Sequence, residues 1–288
     1  MKVVITGAEG QLGRCLKDQL FCTSHSVFSL SRNDLDITDS ETVMKRIVKL
    51  QPDVIINAAA YTAVDKAEAD ADTAWAVNAL AVENLASAAN KVEALLVHVS
   101  TDYVFDGLSN RPYRETDPVN PSGVYGASKL AGERAAQLAV QHAIVRTAWV
   151  FSEYGHNFLK TMMRLAGERE SLSIVNDQTG TPTYAGDLAV ALIQLSETFP
   201  GNGVYHFSGG EACTWFDFAC AIFETCTELS DEFAAPQLTP IPSTEFPTPA
   251  SRPAYSVLDG QRLMSKASVS SGNWRNALLP VCRKVLSQ

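Results

Sequence analysis

Short apolar stretches alternate with longer amphipathic or alanine-rich stretches along the first half of the chain. The apolar stretches predict strands at residues 2–6, 26–30, 53–57, 94–99 and 143–149. The stretches between them predict helices at residues 12–20, 40–50, 72–90 and 124–141. This alternation is typical of βαβ units around a parallel sheet. It predicts an α/β fold of the Rossmann type, with a doubly wound parallel sheet.

The pattern is less regular after residue 151. Helices are predicted at residues 157–168, 185–198 and 215–226, and a strand at 204–208. Residues 236–253 contain six prolines, which interrupt regular structure. We therefore expect a dinucleotide-binding domain at residues 1–150, with part of 183–210 packed on it, and a smaller, loop-rich substrate lobe at 151–288.

Composition and charge exclude several classes of protein. Hydrophobic residues make up 46% of the 288-residue chain and charged residues 19%, as in globular proteins. A net charge of -9 argues against nucleic-acid and membrane-surface partners, because both are anionic. The first strand begins at Lys2, which leaves no room for a signal peptide, so we expect a cytosolic protein. The six cysteines form no CxxC pair and are expected to be reduced thiols.

A glycine-rich loop follows the first predicted strand. Gly7, Gly10 and Gly13 are spaced GxxGxxG, with Gln11 and Leu12 opening the first helix. Loops of this kind let a dinucleotide pyrophosphate approach the backbone at a helix N-terminus. The loop predicts a nicotinamide cofactor.

The end of the second strand normally selects between the two nicotinamide cofactors. An acidic residue there binds the adenine ribose and repels a 2′-phosphate, but this chain has Ser31 and Arg32. The pair favours NADPH, with NADH as the alternative if Arg32 is only a solvated surface residue. Asp36 and Ile37 are expected to flank the adenine.

Three side chains are expected to meet at the carboxyl edge of the sheet. Thr101 follows the fourth predicted strand, while Tyr125 and Lys129 are four residues apart on the next helix and so share one face. A nearby ammonium lowers the pKa of a phenol, so Lys129 could activate Tyr125 as an acid. Thr101 could hydrogen-bond the substrate oxygen. This set predicts hydride transfer to a ketone with Tyr125 as the proton donor.

On these residues the chain resembles the extended short-chain dehydrogenase/reductases. The similarity covers nearly the whole chain. It is carried by the glycine loop and by NAAAYTAVDKAE (57–68), STDYVFDG (100–107), YGASKLAGE (125–133), RTAWVF (146–151), NDQTGTPTY (176–184) and PTPASRPAYSVLD (247–259).

The resemblance implies a role for each matching residue. Tyr125 would be the catalytic acid, with Lys129 and Thr101 in support. Thr101, Asp102 and Trp149 would contact a nucleotide-sugar, and Ala60, Tyr61 and Thr62 the cofactor. The implied reaction is reduction of the C4 ketone of dTDP-4-dehydro-β-L-rhamnose to dTDP-L-rhamnose, a precursor of cell-surface polysaccharide.

Three further positions qualify this expectation. Arg252 is a candidate cation for the substrate pyrophosphate, with a packing role as the alternative. Related dehydratases carry Glu where this chain has Tyr103, so elimination is disfavoured. Some relatives are thought to bind Mg²⁺ at a subunit contact through a Glu where this chain has Cys15, so we expect no metal.

Two other functions remain open at this point. One is a 4-ketoreductase acting on a different dTDP-deoxysugar, which would keep every motif above. The other is a non-catalytic, reductase-like regulatory subunit, against which the intact Thr101, Tyr125 and Lys129 weigh. A homodimer is the assembly left open, and the expected partner is the dTDP-sugar itself.

Overall fold

A six-stranded parallel sheet forms the centre of the computed structural model, which describes residues 1–288. Its strands are β1 (Lys2–Thr6), β2 (Ser26–Leu30), β3 (Val54–Asn57), β4 (Leu95–Thr101), β5 (His142–Thr147) and β10 (Gly203–His206). Their order across the sheet is β10-β5-β4-β3-β1-β2, and every pairing is parallel. The order reverses direction at β1, as in doubly wound sheets. The predicted fold class is confirmed.

Helices cover both faces of this sheet. They are α1 (Gln11–Leu20), α2 (Ser40–Leu50), α3 (Val64–Ala67), α4 (Ala71–Trp75), α5 (Ala81–Val92), α6 (Val124–Ala136), α8 (Ala185–Thr198) and α10 (Gln261–Ala267). One apolar core joins the sheet to α1, α8 and α10, and a second joins it to α2 and α5. Strands buried on both faces explain the continuous apolar stretches in the sequence.

Two predicted helices differ from the structure. The helix expected at 72–90 is divided by a π-helical turn at Ala76–Leu80, which separates α4 from α5. The helix expected at 124–141 ends at Ala136, because the Asn90 side chain bonds the Leu138 carbonyl and the Val140 amide and holds that segment in a turn. Neither the π-helical turn nor the Asn90 side-chain bonds alter the hydrophobic periodicity of the sequence, so the pattern does not predict them.

The remaining elements form a second cluster with its own core. They are β6 (Val150–Phe151), α7 (Phe158–Ala166), β7 (Ser171–Val175), β8 (Thr179–Gly180), β9 (Thr183–Tyr184), β11 (Cys213–Thr214), α9 (Trp215–Leu229), β12 (Gln237–Ile241) and α11 (Trp274–Leu286). Their core is built around the buried side chains of Phe151, Phe218 and Trp274.

The prediction that residues 236–253 lack regular structure was wrong for their first part. Strand β12 pairs in parallel with β7 and includes Pro240. The two strands form a sheet of their own, so β12 has an open edge at which a residue without an N–H is tolerated. Helices α10 and α11 also had no counterpart in the prediction. No helix in the structure is long and apolar enough to cross a bilayer.

Candidate active site

The glycine loop brings the backbone to the N-terminus of α1. Gly7 has φ +68°, and a Cβ there would lie 2.6 Å from the Ala59 nitrogen. A Cβ on Gly13 would lie 2.3 Å from the Gly7 oxygen, so neither position accepts a side chain. Helix α1 begins at Gln11 with no side-chain cap and no acidic residue in its first turn. Its first amide groups are thus available to an anion such as a pyrophosphate.

The predicted adenosine-binding residues lie beyond the end of β2, away from Tyr125. The Ser31 backbone amide and hydroxyl both donate to Asp34, at 2.9 and 2.6 Å. Arg32 is exposed and forms no ion pair, which leaves its guanidinium available to a ligand phosphate. Asp36 accepts two bonds from Thr38, which hold the pKa of its carboxyl below its usual value.

Behind this position, Ile37 is buried in the core beneath α2, and its carbonyl accepts a bond from Asn84 at 3.0 Å. The segment that would surround an adenine ring is therefore fixed from below by packing and from the side by Asn84.

A residue that we did not predict fixes the segment from Ala60 to Thr62. Asn78, buried in the π-helical turn, accepts the Tyr61 amide at 2.8 Å and donates to the Tyr61 carbonyl at 3.1 Å. It also donates to the Ser128 hydroxyl of α6 at 3.1 Å. The wider turn thus places one amide side chain between the expected cofactor loop and the expected catalytic helix. The sequence gives no signal beyond Asn78 itself, which is one of three asparagines in the alanine-rich stretch 72–90.

Thr101 and Asp102 form a buried pair at the carboxyl end of β4. The Thr101 hydroxyl donates to Asp102 Oδ1 at 2.9 Å and accepts the Tyr103 amide at 3.2 Å. Burial raises the pKa of the Asp102 carboxyl to about 6, and its Oδ2 has no partner. A buried polar atom without a partner is unusual, and a bound ligand could supply one.

Tyr125 is buried beside this pair, with 9% of its surface exposed. Its ring packs edge-on against Tyr103, with centroids 5.4 Å apart. Burial raises the pKa of the Tyr125 phenol to about 12, although a hydrogen bond with Thr101 lowers it. The phenol is therefore neutral at physiological pH and can donate a proton. Tyr103 occupies the position of the dehydratase Glu, so no carboxylate faces Tyr125 from there.

Lys129 is placed differently from the expectation. Its ammonium donates to the Val99 carbonyl at 2.7 Å, and burial lowers the pKa of this group to about 8. Among the groups that shift the pKa of Tyr125, Lys129 has no part. The expected lowering of the Tyr125 pKa by Lys129 is thus not seen in this structure, because the ammonium is directed to the backbone of β4. An ammonium has three donors, so two remain for a ligand.

A buried ion pair lies one turn beyond Lys129. Glu133 accepts two bonds from Arg146 of β5, at 2.8 and 2.7 Å, and a third from Ser100 at 2.6 Å. Both charged side chains are at most 4% exposed. This cluster was not predicted, although Glu133 and Arg146 both lie within quoted motifs. It fastens α6 to β4 and β5 directly beneath Thr101.

Trp149 and Arg252 approach the site from the second cluster of elements. Trp149 follows β5 with φ +47°, and its indole stacks on Trp215. The Arg252 guanidinium donates to the Asp65 carboxylate at 2.8 and 3.1 Å and holds the pKa of that carboxyl below its usual value. Burial raises the pKa of the Tyr103 phenol, and the nearby Arg252 charge partly offsets that rise. The segment that carries Arg252 therefore runs between two places. One is Asp65, just after the expected cofactor-binding residues 60–62, and the other is Tyr103, which packs on Tyr125.

The residues around Cys15 do not suit a divalent cation. Burial raises the pKa of the Cys15 thiol to about 12, and sulfur is not a ligand that Mg²⁺ prefers, since this ion takes oxygen ligands. The nearby Glu153 carboxylate, 2% exposed, is already paired with the Lys284 ammonium at 2.5 Å. No group of three potential metal-binding side chains occurs in the structure. The residues around Cys15 therefore do not fit the Mg²⁺ site of the relatives.

A glycine loop at a helix N-terminus and a buried Thr-Tyr-Lys set define a class of protein, the nicotinamide-dependent reductases of the extended short-chain type. Comparison with known proteins specifies the family. The model of the RmlD substrate binding domain matches residues 1–287. A dTDP-4-dehydrorhamnose reductase of Aggregatibacter actinomycetemcomitans is 43% identical over 284 residues, which cover 96% of this chain and 97% of the relative.

Solved structures agree with the sequence comparison. A dTDP-4-dehydrorhamnose reductase of Clostridium acetobutylicum superposes with a TM-score of 0.93 at 40% identity, over 100% of both chains. The Bacillus anthracis enzyme, solved in complex with NADP, gives a TM-score of 0.92 at 39% identity over 98% of this chain and 99% of that one. The chain belongs to the dTDP-4-dehydrorhamnose reductase family. The predicted family, the oxidoreductase class and the NADP type of cofactor are confirmed.

Proposed function

We propose that this chain reduces the C4 ketone of dTDP-4-dehydro-β-L-rhamnose to dTDP-L-rhamnose with NADPH, and that Tyr125 donates the proton. The observation that carries the proposal is the neutral Tyr125 phenol, buried beside Thr101 at the carboxyl edge of a parallel sheet whose first loop ends at an uncapped helix N-terminus. Ligands of such sheets bind at this edge.

The residues divide the work as follows. NADPH, when bound, supplies the hydride to the ketone carbon. As negative charge develops on the ketone oxygen, Tyr125 transfers its phenolic proton to that oxygen, and Thr101 orients the Tyr125 hydroxyl by hydrogen bonding. A phenol with a high pKa loses its proton only to a stronger base such as an alkoxide. Lys129, buried and cationic below pH 8, donates to the Val99 carbonyl and offers its remaining donors to the cofactor ribose.

The cofactor would bind from the glycine loop to the end of β2. The amides of Gln11 and Leu12 would face its pyrophosphate, since the Gly10 amide already donates to the Gly7 carbonyl. Arg32 would face its 2′-phosphate, since both donors of Ser31 are bonded to Asp34. Ala60, Tyr61 and Thr62, held by Asn78, would line its nicotinamide half.

The dTDP-sugar would enter from the opposite side. Asp102 Oδ2, buried and without a partner, is positioned to accept a sugar hydroxyl, and Trp149 offers an aromatic surface. Arg252 would reach the pyrophosphate only with the N–H donors that Asp65 leaves free, and a guanidinium has five.

A cytosolic location, a homodimer and the domain boundary near residue 150 stay predictions.

The test is to mix the purified protein with NADPH and dTDP-4-dehydro-β-L-rhamnose and to follow the loss of nicotinamide absorbance. We expect oxidation with this substrate and none with dTDP-L-rhamnose, which lacks the ketone. A second 4-keto dTDP-deoxysugar tests the alternative that the protein reduces a different sugar nucleotide. Faster turnover of that second sugar, or no oxidation with either, would overturn the proposal.

A further inference from the structure

Trp149 has a backbone conformation that side chains rarely adopt. Its φ of +47° lies in the left-handed region, although it is a bulky residue and not a glycine. Such conformations cost free energy and persist only where the surroundings hold them, most often at functional sites. Trp149 follows β5 at the carboxyl edge of the sheet, which is the edge of the proposed active site.

The indole of Trp149 is held by an aromatic stack. It lies parallel to the Trp215 ring, with an interplanar angle of 7° and ring centroids 3.4 Å apart. Phe158 in turn packs on Trp215, with centroids 4.6 Å apart. This face of Trp149 is therefore fixed by a row of rings from α9 and α7.

Gly180 fits closely against the same indole. A Cβ at this position would lie 2.4 Å from Trp149 Cε2 and 2.7 Å from Nε1. Even an alanine would therefore displace the ring. This glycine lies within the motif NDQTGTPTY. The need for glycine at that position of the motif therefore has a steric reason.

The two residues that hold Trp149 are tied to each other by backbone. Gly180 pairs with Cys213 in the short ladder between β8 and β11, and Trp215 follows β11 directly. Trp215 is also the first residue of α9, which begins with a capping box between Thr214 and Asp217. Both the ladder and the cap fix the Trp215 backbone, so its ring is a rigid support.

We infer that Trp215 is a positioning residue for the sugar nucleotide: it holds the Trp149 indole in the orientation in which that ring contacts the substrate. This inference rests on the proposed function. It links α9 to substrate affinity, although Trp215 itself need not touch the sugar. Cofactor affinity should not depend on it, because the glycine loop and Arg32 lie at the other end of the site.

The test compares three variants by KM, kcat and NADPH affinity. In Trp215→Leu the stack is lost, and we expect KM for dTDP-4-dehydro-β-L-rhamnose to rise about tenfold, the size of one aromatic pair. We expect kcat and the Kd for NADPH to stay near the parent values. Trp215→Phe keeps an aromatic face and should restore most of the affinity.

Phe233→Leu is the matched control. It removes an aromatic contact from the same lobe, where Phe233 packs on Phe223 with centroids 6.1 Å apart, but it leaves the Trp149 stack intact. If Trp215→Leu raises KM no more than this control, the inference is wrong. A parallel loss of kcat, NADPH affinity and Tm would also overturn it, because it would indicate general destabilisation.

Failure of the proposed function would be distinguishable. If the parent protein does not turn over the 4-keto sugar nucleotide, binding of dTDP-L-rhamnose to the parent and to Trp215→Leu is measured by calorimetry. About tenfold weaker binding to Trp215→Leu supports the positioning role even then, and equal binding contradicts it.

Discussion

Helix α6 carries two buried charged groups one turn apart, and their surroundings are opposite. Glu133 is fully engaged by Arg146 and Ser100. Lys129 has one partner, the Val99 carbonyl, and burial lowers its pKa to about 8. A charge with all its bonds made holds the helix in place, whereas a charge with free donors at the edge of the sheet is available to a ligand. The first half of α6 is therefore the reactive part and the second half its support.

The largest effect is expected at the reactive end. Tyr125→Phe removes the phenolic proton and leaves the ring, so kcat should fall by about 10²- to 10⁴-fold. NADPH affinity, measured by fluorescence titration, should change little. The control is Tyr154→Phe, which removes the hydroxyl that bonds Asp18 on the exposed surface, away from the cofactor-binding residues. Similar activity losses in the two variants would mean that Tyr125 is not the acid.

Substitution of Glu133, in the supporting second half of α6, should lower the stability of the protein. Glu133→Gln leaves Arg146 buried without a full charge partner, and we expect a loss of about 3–5 kcal/mol in the free energy of unfolding. Urea denaturation measures it. Glu41→Gln, which opens an exposed pair with Lys45, should have almost no effect. A loss at Glu133 no larger than at Glu41 would contradict the supporting role.

The positions of the reactive residues on helix α6 could be predicted from the sequence, but the contacts that α6 makes with other elements could not. The four-residue spacing of Tyr125 and Lys129 fixes their common face, and the apolar strand before them places Thr101 nearby. The Lys129 bond to Val99 and the ion pair of Glu133 with Arg146 join different elements, and no local periodicity encodes them. The π-helical turn that brings Asn78 to Tyr61 also cannot be predicted from the hydrophobicity pattern.

The pairing of Arg252 with Asp65 shows the same limit over a longer distance. The two residues are 187 positions apart, and only the folded chain brings them together. Strand β12 was missed for a different reason, since Pro240 within it and the prolines on either side favour a loop unless an open edge is available. The Trp149 indole packs against Trp215 and Gly180, which are remote in sequence, so no local pattern predicts its position.

Lys129 should also give the reaction its pH dependence. Because its folded pKa is lowered to about 8, the ammonium is present below that pH and is lost above it. We expect kcat/KM to fall as pH rises through about 8, by up to tenfold per pH unit. The Tyr125 phenol, with a pKa of about 12, cannot cause this decrease. Lys129→Met should have low activity at every pH and no decrease near pH 8. If that variant kept the decrease, another group would be responsible.

The smallest effect is expected far from α6, at the adenosine end. Arg32→Asp should weaken NADPH binding roughly tenfold, the value of one charge-assisted hydrogen bond of about 1.5 kcal/mol. Binding of NADH, which lacks the 2′-phosphate, should be unchanged or stronger. KM measured for both cofactors tests this. Arg169→Asp serves as a charge-matched control outside the site. Equal losses for NADPH and NADH in Arg32→Asp would show that Arg32 does not recognise the phosphate.

The central claim is that hydride passes from the nicotinamide to C4 of the sugar. It is tested most directly with NADPH deuterated at both hydrogens of its nicotinamide C4, mixed with the protein and dTDP-4-dehydro-β-L-rhamnose. Our account predicts dTDP-L-rhamnose with deuterium at the sugar C4, detected by mass spectrometry and NMR. Product without deuterium at C4, or deuterium at another carbon, would contradict it.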